Sequence, residues 1–257
     1  METMIRVVVT GAAGKMGREV VRAVTAEPDM TVVAAVDPLH AGEVVEGIRV
    51  TGDLRDAIQA SSPDVLVDFT RPDAVAANVR TAALAGVDCV VGTTGVPLET
   101  FGSIAAEAPE GVCVFVAPNF AIGAVLMMRF AREAAQYLPH VEIIELHHDR
   151  KADAPSGTAI RTAEAIAQAR AQVPAAPGRE TEVAEGARGA VVAGVSVHSV
   201  RLPGLVAHQE VVFGGPGQTL TIRHDSLDRT SFMPGVVLAV RSVRERSGLV
   251  VGLEELL

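Results

Sequence analysis

Thr10-Gly-Ala-Ala-Gly-Lys-Met-Gly-Arg18 follows directly on the short β-branched run Ile5–Thr10. Gly11, Gly14 and Gly17 form a GxxGxxG variant of the fingerprint that closes the first strand–helix turn of a dinucleotide-binding sheet. In that fingerprint the first glycine permits a tight turn. The second lets the backbone approach a pyrophosphate, and the third lets the helix pack closely on the sheet. The helix that follows offers its unpaired N-terminal N–H groups to phosphate. A glycine triplet alone is a weak signal, because glycine-rich turns after strands are common. Here the next strand candidate ends in Asp37, 20 residues after Gly17. An acid at that place can bind the ribose hydroxyls of NAD.

Moving outward, Thr31–Asp37, Asp64–Phe69, Asp88–Val91 and Val112–Ala117 are also short, apolar and Val-rich. Between them Met16–Ala26, Asp53–Ala60, Asp73–Ala85 and Leu98–Ala108 read as helices. Strands without clean alternation are buried on both faces, which implies a parallel sheet covered by helices. The alternation of strand and helix predicts an α/β, doubly wound first domain. After Pro118 the rhythm changes. Phe120–Leu138 reads as a long helix, Val141–His148 as a strand, and Gly157–Arg170 as a helix capped by Ser156. Pro174–Gly189 reads as an exposed loop. Ala190–Arg201, Leu205–Phe213 and Gln218–His224 read as three long strands, with Gly214-Gly-Pro-Gly217 as the turn between the last two. Strands in succession suggest an antiparallel or mixed sheet and so a smaller α+β domain, for which a mixed open sheet is expected. Ser231–Glu245 is expected to close the chain as a helix packed on the first domain. The expected division is residues 1–119 and 231–257 against 120–230.

The chain has 257 residues, is 49% hydrophobic, and carries a formal net charge of −9. That balance argues against nucleic acid as a partner and fits a soluble cytoplasmic protein. No apolar run reaches the ~20 residues of a membrane helix, and no basic-then-apolar leader precedes the first strand. Cys89 and Cys113 lie in strand-like runs and read as buried thiols in a reducing compartment. There is no Trp and one Tyr, so the core falls to Val, Ala, Leu and Ile.

A second informative stretch is Glu145-Leu-His-His-Asp-Arg-Lys-Ala-Asp-Ala-Pro-Ser-Gly-Thr158. The chain has 20 arginines and two lysines, and Lys151 falls here while Lys15 falls in the glycine segment. Arg stays protonated, whereas Lys can release a proton. Imidazole and ammonium groups beside the helix-start amides of Gly157 and Thr158 make an anion site with acid chemistry. Two other readings compete: a surface charge run, and a metal site. Neighbouring residues of a strand point to opposite faces, so His147 and His148 make a poor chelate; no metal is expected. No nucleophile motif is present. In the crevice beyond the first sheet, Asp68-Phe-Thr70, Gly92-Thr-Thr-Gly95 and Ala117-Pro-Asn-Phe120 each follow a strand and are candidates for the same ligand. Asp37 favours NADH, and Lys15 and His40 can partly offset its charge against a 2′-phosphate.

With both motifs in view, the chain resembles the 4-hydroxy-tetrahydrodipicolinate reductase (dihydrodipicolinate reductase) family over essentially its whole length. The resemblance runs through Val9-Thr-Gly-Ala-Ala-Gly-Lys-Met-Gly17, Val67-Asp-Phe-Thr70, Val91-Gly-Thr-Thr-Gly95 and Ala117-Pro-Asn-Phe-Ala-Ile-Gly123. It continues through the Glu145–Thr158 stretch and His224-Asp-Ser-Leu-Asp-Arg-Thr-Ser-Phe232. The resemblance implies a Rossmann-like nicotinamide domain and a second domain for substrate and tetramer assembly. It implies NADH- or NADPH-dependent reduction of a cyclic dicarboxylate, with hydride going to ring C4. It also implies His147 and Lys151 as proton-transfer residues, and His148, Ser156, Gly157, Thr158 and Arg229 as substrate ligands. On the cofactor side it implies Gly11, Ala12, Ala13, Gly14, Lys15, Met16, Asp37 and Phe69. Gly92, Thr93, Thr94, Ala117, Pro118, Asn119 and Phe120 complete that set. Asp149 and Arg150 depart from the family pattern, which often carries a basic residue or Pro and then His. Ala13 stands where some relatives carry Lys. Two alternatives remain. A semialdehyde-dehydrogenase-like enzyme needs a nucleophilic Cys at a helix start. A nucleotide-sensing paralogue predicts a damaged His-His-Lys segment.

Overall fold

The computed structural model describes residues 4–170 and 181–257. It divides into two compact units, residues 1–122 with 229–257, and residues 123–228.

The first unit opens with β1 (Ile5–Thr10), α1 (Lys15–Ala26) and β2 (Met30–Val36). There follow β3 (Val44–Val45), β4 (Ile48–Thr51), α2 (Leu54–Ser61), β5 (Val65–Asp68), α3 (Val75–Leu84), β6 (Asp88–Val91), α4 (Leu98–Glu107) and β7 (Cys113–Val116). The sheet order is β13-β7-β6-β5-β1-β2-β4-β3, where β13 (Gly248–Val251) comes from the chain's last segment. Every pairing is parallel except β3 with β4. Strand order reverses between β1 and β5, so a ligand crevice opens beyond their carboxyl ends. Leu54, Ile58, Val79, Phe101 and Ile104 from α2, α3 and α4 pack on one face of the sheet. Helix α1 lies against α7 (Met233–Ser242), and both helices bury apolar residues. This is the doubly wound arrangement that the sequence predicts. The central strands β5, β6 and β7 are buried along their whole length, which explains why they read as continuous apolar runs.

The second unit contains most of α5 (Ile122–Ala134), then β8 (His140–His147), α6 (Gly157–Ala169), β9 (Ala190–Val192), β10 (Val195–Arg201), β11 (Ala207–Gly215) and β12 (Gln218–Ser226). Its five-stranded sheet has the order β12-β11-β8-β10-β9, with β8 and β10 parallel and the other pairs antiparallel. Met127, Ile143, Ile166, Val197, Val211 and Phe213 fill the core between α5, α6 and the sheet.

Four expectations need correction. The run Ala190–Arg201 is two strands, because Ala193 and Gly194 both take positive φ and turn the chain between them. Gly214 and Gly215 belong to β11, which leaves Pro216 and Gly217 as the tighter turn to β12. The long helix after Pro118 is shorter at both ends than Phe120–Leu138. The final segment does not end as a helix: α7 is followed by β13, which pairs with β7 in parallel. Strands β3 and β4 were not anticipated; they are two and four residues long. Of the expected loop Pro174–Gly189, residues 174–180 lie outside the described residues, and 181–189 are nearly all exposed. Among the described residues no helix is long and apolar enough to cross a membrane.

Gly235 lies inside α7, where a Cβ would sit 2.0 Å from the Phe120 carbonyl oxygen. Gly235→Ala should therefore destabilise the protein by about 1–3 kcal/mol. The gain of about 0.5–1 kcal/mol that Ala normally brings to a helix is too small to offset the clash. Chemical denaturation of the variant against the native chain checks the sign.

Candidate active site

In the first unit, the turn after β1 is built around its glycines. Gly11 has φ +68°, and a Cβ there would lie 2.6 Å from the Phe69 carbonyl oxygen. A Cβ on Gly17 would lie 2.0 Å from the Gly11 carbonyl oxygen, so the third glycine lets α1 close onto the turn itself. Gly14 precedes α1 without a side-chain cap, which leaves first-turn amides for an anion. A cavity of about 420 Å³ opens here. Gly11, Gly14, Asp37, His40, Phe69 and Arg71 are among its lining residues. The glycine cradle, the uncapped helix start and the acid after β2 together fit a nicotinamide dinucleotide.

Asp37 is already engaged: Oδ1 accepts from Leu39 N at 3.2 Å and lies 3.0 Å from His40 Nδ1. The nearby Asp37 carboxylate raises the His40 pKa above the ordinary imidazole value. His40 thus lines the cavity beside Asp37, where a protonated imidazole would offset part of its charge. Lys15 is the first residue of α1 and is exposed, while Ala12 and Ala13 are buried. Met16 is half-buried, and Thr94 and Pro118 are exposed. Asn119 accepts from Ala121 N at 2.9 Å. Ala117 and Phe120 are buried, and the Phe120 ring packs on Phe69 and Phe115 at centroid distances of 5.6 and 6.0 Å. Phe120 thus belongs to the aromatic wall beneath the crevice. Gly92 is needed beside that wall, because its Cβ would lie 2.1 Å from the Phe69 ring.

Asp68 organises the strand ends, a role the sequence reading missed. It is fully buried. Oδ1 accepts from Thr70 N, Thr70 Oγ1 and Thr93 Oγ1 at 3.0, 2.8 and 2.8 Å. Oδ2 accepts from Thr10 Oγ1 and Asn78 Nδ2 at 2.7 and 2.9 Å. One carboxylate thus ties together the ends of β1 and β5, the turn after β6, and α3. A short polar residue after an apolar strand carries no clear sequence signal of such a role.

In the second unit, the parallel pairing of β8 with β10 sets Glu145 in register with Ser199, and His147 with Arg201. Glu145 is fully buried. Arg201 Nη2 donates to its Oε1 at 2.7 Å and Nη1 to its Oε2 at 2.8 Å. Ser156 N donates to Oε1 at 3.2 Å, and His147 Nδ1 lies 2.5 Å from Oε2. Arg201 Nη2 also donates to the Asp153 carbonyl at 2.7 Å, which pins the segment leading to α6. Burial pushes the Glu145 carboxyl up, but hydrogen bonds from Arg201, Ser199 and His147 outweigh it and hold it below the ordinary range. Burial lowers the His147 pKa below the ordinary imidazole value, and the Glu145 contact only partly reverses this.

Around this centre, Lys151 Nζ donates to both carboxylate oxygens of Asp153 at 2.7 and 2.8 Å. Ser156 caps α6 by accepting from Ala159 N at 3.2 Å. Gly157 opens that helix, exposed, with nothing within 4 Å of a Cβ placed there. Thr158 follows, half-buried. His148 Nδ1 is buried with no hydrogen-bond partner, an orphan that a ligand can satisfy. The second unit therefore brings together His147, His148, Lys151, Ser156, Gly157 and Thr158. Arg229 falls instead in the first unit, exposed at the start of the 3₁₀ turn Arg229–Phe232. Cys89 and Cys113 are buried, and burial pushes both thiols up, Cys113 to about 12, so neither is a thiolate nucleophile.

The family models described as dihydrodipicolinate reductase N-terminus and C-terminus match residues 5–120 and 123–257. The chain belongs to the dihydrodipicolinate reductase family. A 4-hydroxy-tetrahydrodipicolinate reductase of Syntrophomonas wolfei is 51% identical, with all of both chains covered. One of Mycolicibacterium smegmatis is 52% identical over 98% of this chain and 99% of its own. A dipicolinate-bound dihydrodipicolinate reductase from Paenisporosarcina sp. TG-14 superposes with a TM-score of 0.91 at 45% identity, covering 99% of this chain and 100% of its own. An amine dehydrogenase from Mycobacterium smegmatis, 14% identical with a TM-score of 0.62 and covering 96% and 94%, shares the fold.

The two shifts at the reductase's second-unit cluster act in the same direction. His147 and Glu145 both have folded pKa values below their ordinary values of 6.5 and 4.5. The unfolded chain then binds more protons than the folded one, so this stability is present above those values and is lost as pH falls through the folded ones. Thermal stability should decline as pH falls below 6.5, and His147→Gln should flatten the upper part of that decline. Melting curves at a series of pH values check this.

Proposed function

We propose that the chain reduces 4-hydroxy-tetrahydrodipicolinate to tetrahydrodipicolinate with loss of water, using a reduced nicotinamide dinucleotide. Family membership over nearly the whole chain, joined to the Glu145-centred cluster, carries this reading. When bound, the reduced dinucleotide supplies the hydride for ring C4.

Gly11 to Met16 hold its phosphates through backbone amides, and Asp37 accepts from the adenosine ribose. Phe69 and Phe120 form the wall below it. The segments Gly92–Thr94 and Ala117–Asn119 close the nicotinamide end. On the substrate side, the amides of Gly157 and Thr158 with Ser156 bind a ring carboxylate at the positive end of α6. His148 fills its open nitrogen with a substrate oxygen, and Arg229 is proposed as a substrate ligand on the resemblance alone. His147 and Lys151 manage the proton that reaches C3. Lys151 is held by Asp153 within the segment that carries the helix start. The chain works in the cytoplasm as a homotetramer assembled through the mixed sheet, where Gln218, Thr219 and Leu220 of β12 are exposed.

Coupled to the preceding synthase with pyruvate and aspartate semialdehyde, the protein should oxidise NADH in a substrate-dependent way. No oxidation with either nicotinamide cofactor refutes the reading. NADH should serve at least as well as NADPH, because Asp37 meets a 2′-hydroxyl more favourably than a 2′-phosphate. A preference for NADPH of about a hundredfold, near 2.7 kcal/mol, would overturn that part.

Lys151→Arg separates two roles. A lysine that delivers a proton should lose most of its kcat in this variant, since guanidinium does not release one. A pure carboxylate anchor should change mainly KM. The expected result is a fall in kcat of about 10²-fold, read from steady-state kinetics.

A further inference from the structure

We infer that Glu145 is the positioning residue of the proton-transfer site: clamped by Arg201, it holds His147 in the Nδ1-protonated form and ties that imidazole to the start of α6. The inference rests on the reading that His147 exchanges a proton with substrate and that the α6 N-terminus binds a substrate carboxylate.

The geometry assigns each oxygen of Glu145 a function. Oε2 faces His147 Nδ1 at 2.5 Å and Oε1 faces Ser156 N at 3.2 Å. An ionised carboxylate only accepts hydrogen bonds, so the proton between the two groups belongs to Nδ1. Nε2 is left as the nitrogen that gives or takes a proton, and Glu145 itself stays ionised throughout. Arg201 binds both oxygens, so the carboxylate cannot rotate to serve one partner alone. Arg201 donates in addition to the Asp153 carbonyl, which anchors the segment carrying Lys151. A single ion pair between β8 and β10, its carboxylate buried and its guanidinium half-buried, therefore sets the tautomer of the base and the place of the carboxylate-binding amides.

The charged groups facing His147 are Glu145 on its own strand, Arg201 on β10, and Lys151 on the following segment, with Asp153 paired to Lys151. Glu145 is the anion that raises the His147 pKa, while Arg201 and Lys151 lower it. Neutralising Glu145 must therefore move the His147 titration to lower pH. An anchor that only supports the loop would leave that titration in place.

The test uses ¹⁵N-histidine-labelled full-length protein, with the His147 signals assigned by their loss in His147→Gln. In the native chain, neutral His147 should give the ¹⁵N pattern of the Nδ1–H tautomer. In Glu145→Gln its titration should move down by about one to three pH units. The kcat of that variant should fall by about tenfold or more, while KM for the reduced nicotinamide stays within about twofold. Glu145→Asp, which keeps the charge, should restore the titration toward the native value. A native Nε2–H tautomer overturns the inference, as does an unmoved titration in Glu145→Gln. If Glu145→Gln does not fold, the native tautomer alone decides. Absence of reductase turnover in the native protein would refute the proposed activity, and the NMR result would still report on the Glu145–His147 pair.

Discussion

A carboxylate removed from water has to be surrounded by donors, and each unit of this protein is organised around one such group. Leaving a buried charge unpartnered costs far more than a typical hydrogen bond returns. Asp68 meets this constraint with three hydroxyls, a backbone amide and a side-chain amide. Glu145 meets it with a guanidinium, a backbone amide and an imidazole. In both cases a neighbour two residues on, Thr70 or His147, is joined by donors from segments distant in sequence. The need to satisfy one anion thus fixes the relative places of several segments at the carboxyl ends of strands, where ligands bind.

The two solutions differ in chemical consequence. Neutral donors around Asp68 make a polar knot at the strand ends beside the crevice. It orients Thr93 and Thr70 without placing a titrating partner beside them. The Glu145 centre contains an imidazole, so the same hydrogen bonds that order the loop also decide where a proton can go. Close packing completes the first site: the Gly11 carbonyl lies where any side chain on Gly17 would have to go, and the Phe69 ring does the same to Gly92. These contacts leave no room for a methyl group, so backbone and ring surfaces, not long side chains, shape the crevice.

Much of this could be read in the sequence, and the parts that could not share a physical reason. Strands β1 and β6 have the expected bounds because apolar runs between turn residues mark buried parallel strands directly. The glycine triplet was legible because the positive φ of Gly11 and the close approach of Gly17 to Gly11 are local demands. Strand β13 was missed because Gly248–Val251 is four residues long and gains its place only by pairing with β7, more than a hundred residues earlier. The break at Ala193 and Gly194 was hidden because an Ala at positive φ gives no composition signal. The His-His-Lys segment and the cap at Ser156 were visible as a motif. Glu145 lay within that motif, yet its importance depends on Arg201, which reaches it only through the β8–β10 pairing. Asp68 and Glu145 each fall within a motif string; burial and partners, which sequence does not display, give them their roles.

The order of segments along the chain has a consequence for synthesis. Residues 123–228 are encoded between β7 and the segment that supplies α7 and β13. As the chain emerges from the ribosome, β7 is a bare sheet edge until Gly248–Val251 arrives to pair with it. The face later covered by α7 is also open to water during that interval. The smaller unit, contiguous in sequence, has all its strands available before the larger one is complete. Nascent chains of this protein therefore pass through a stage with a finished insert and an unfinished host, in which the exposed edge of β7 is the point most open to mispairing with another chain.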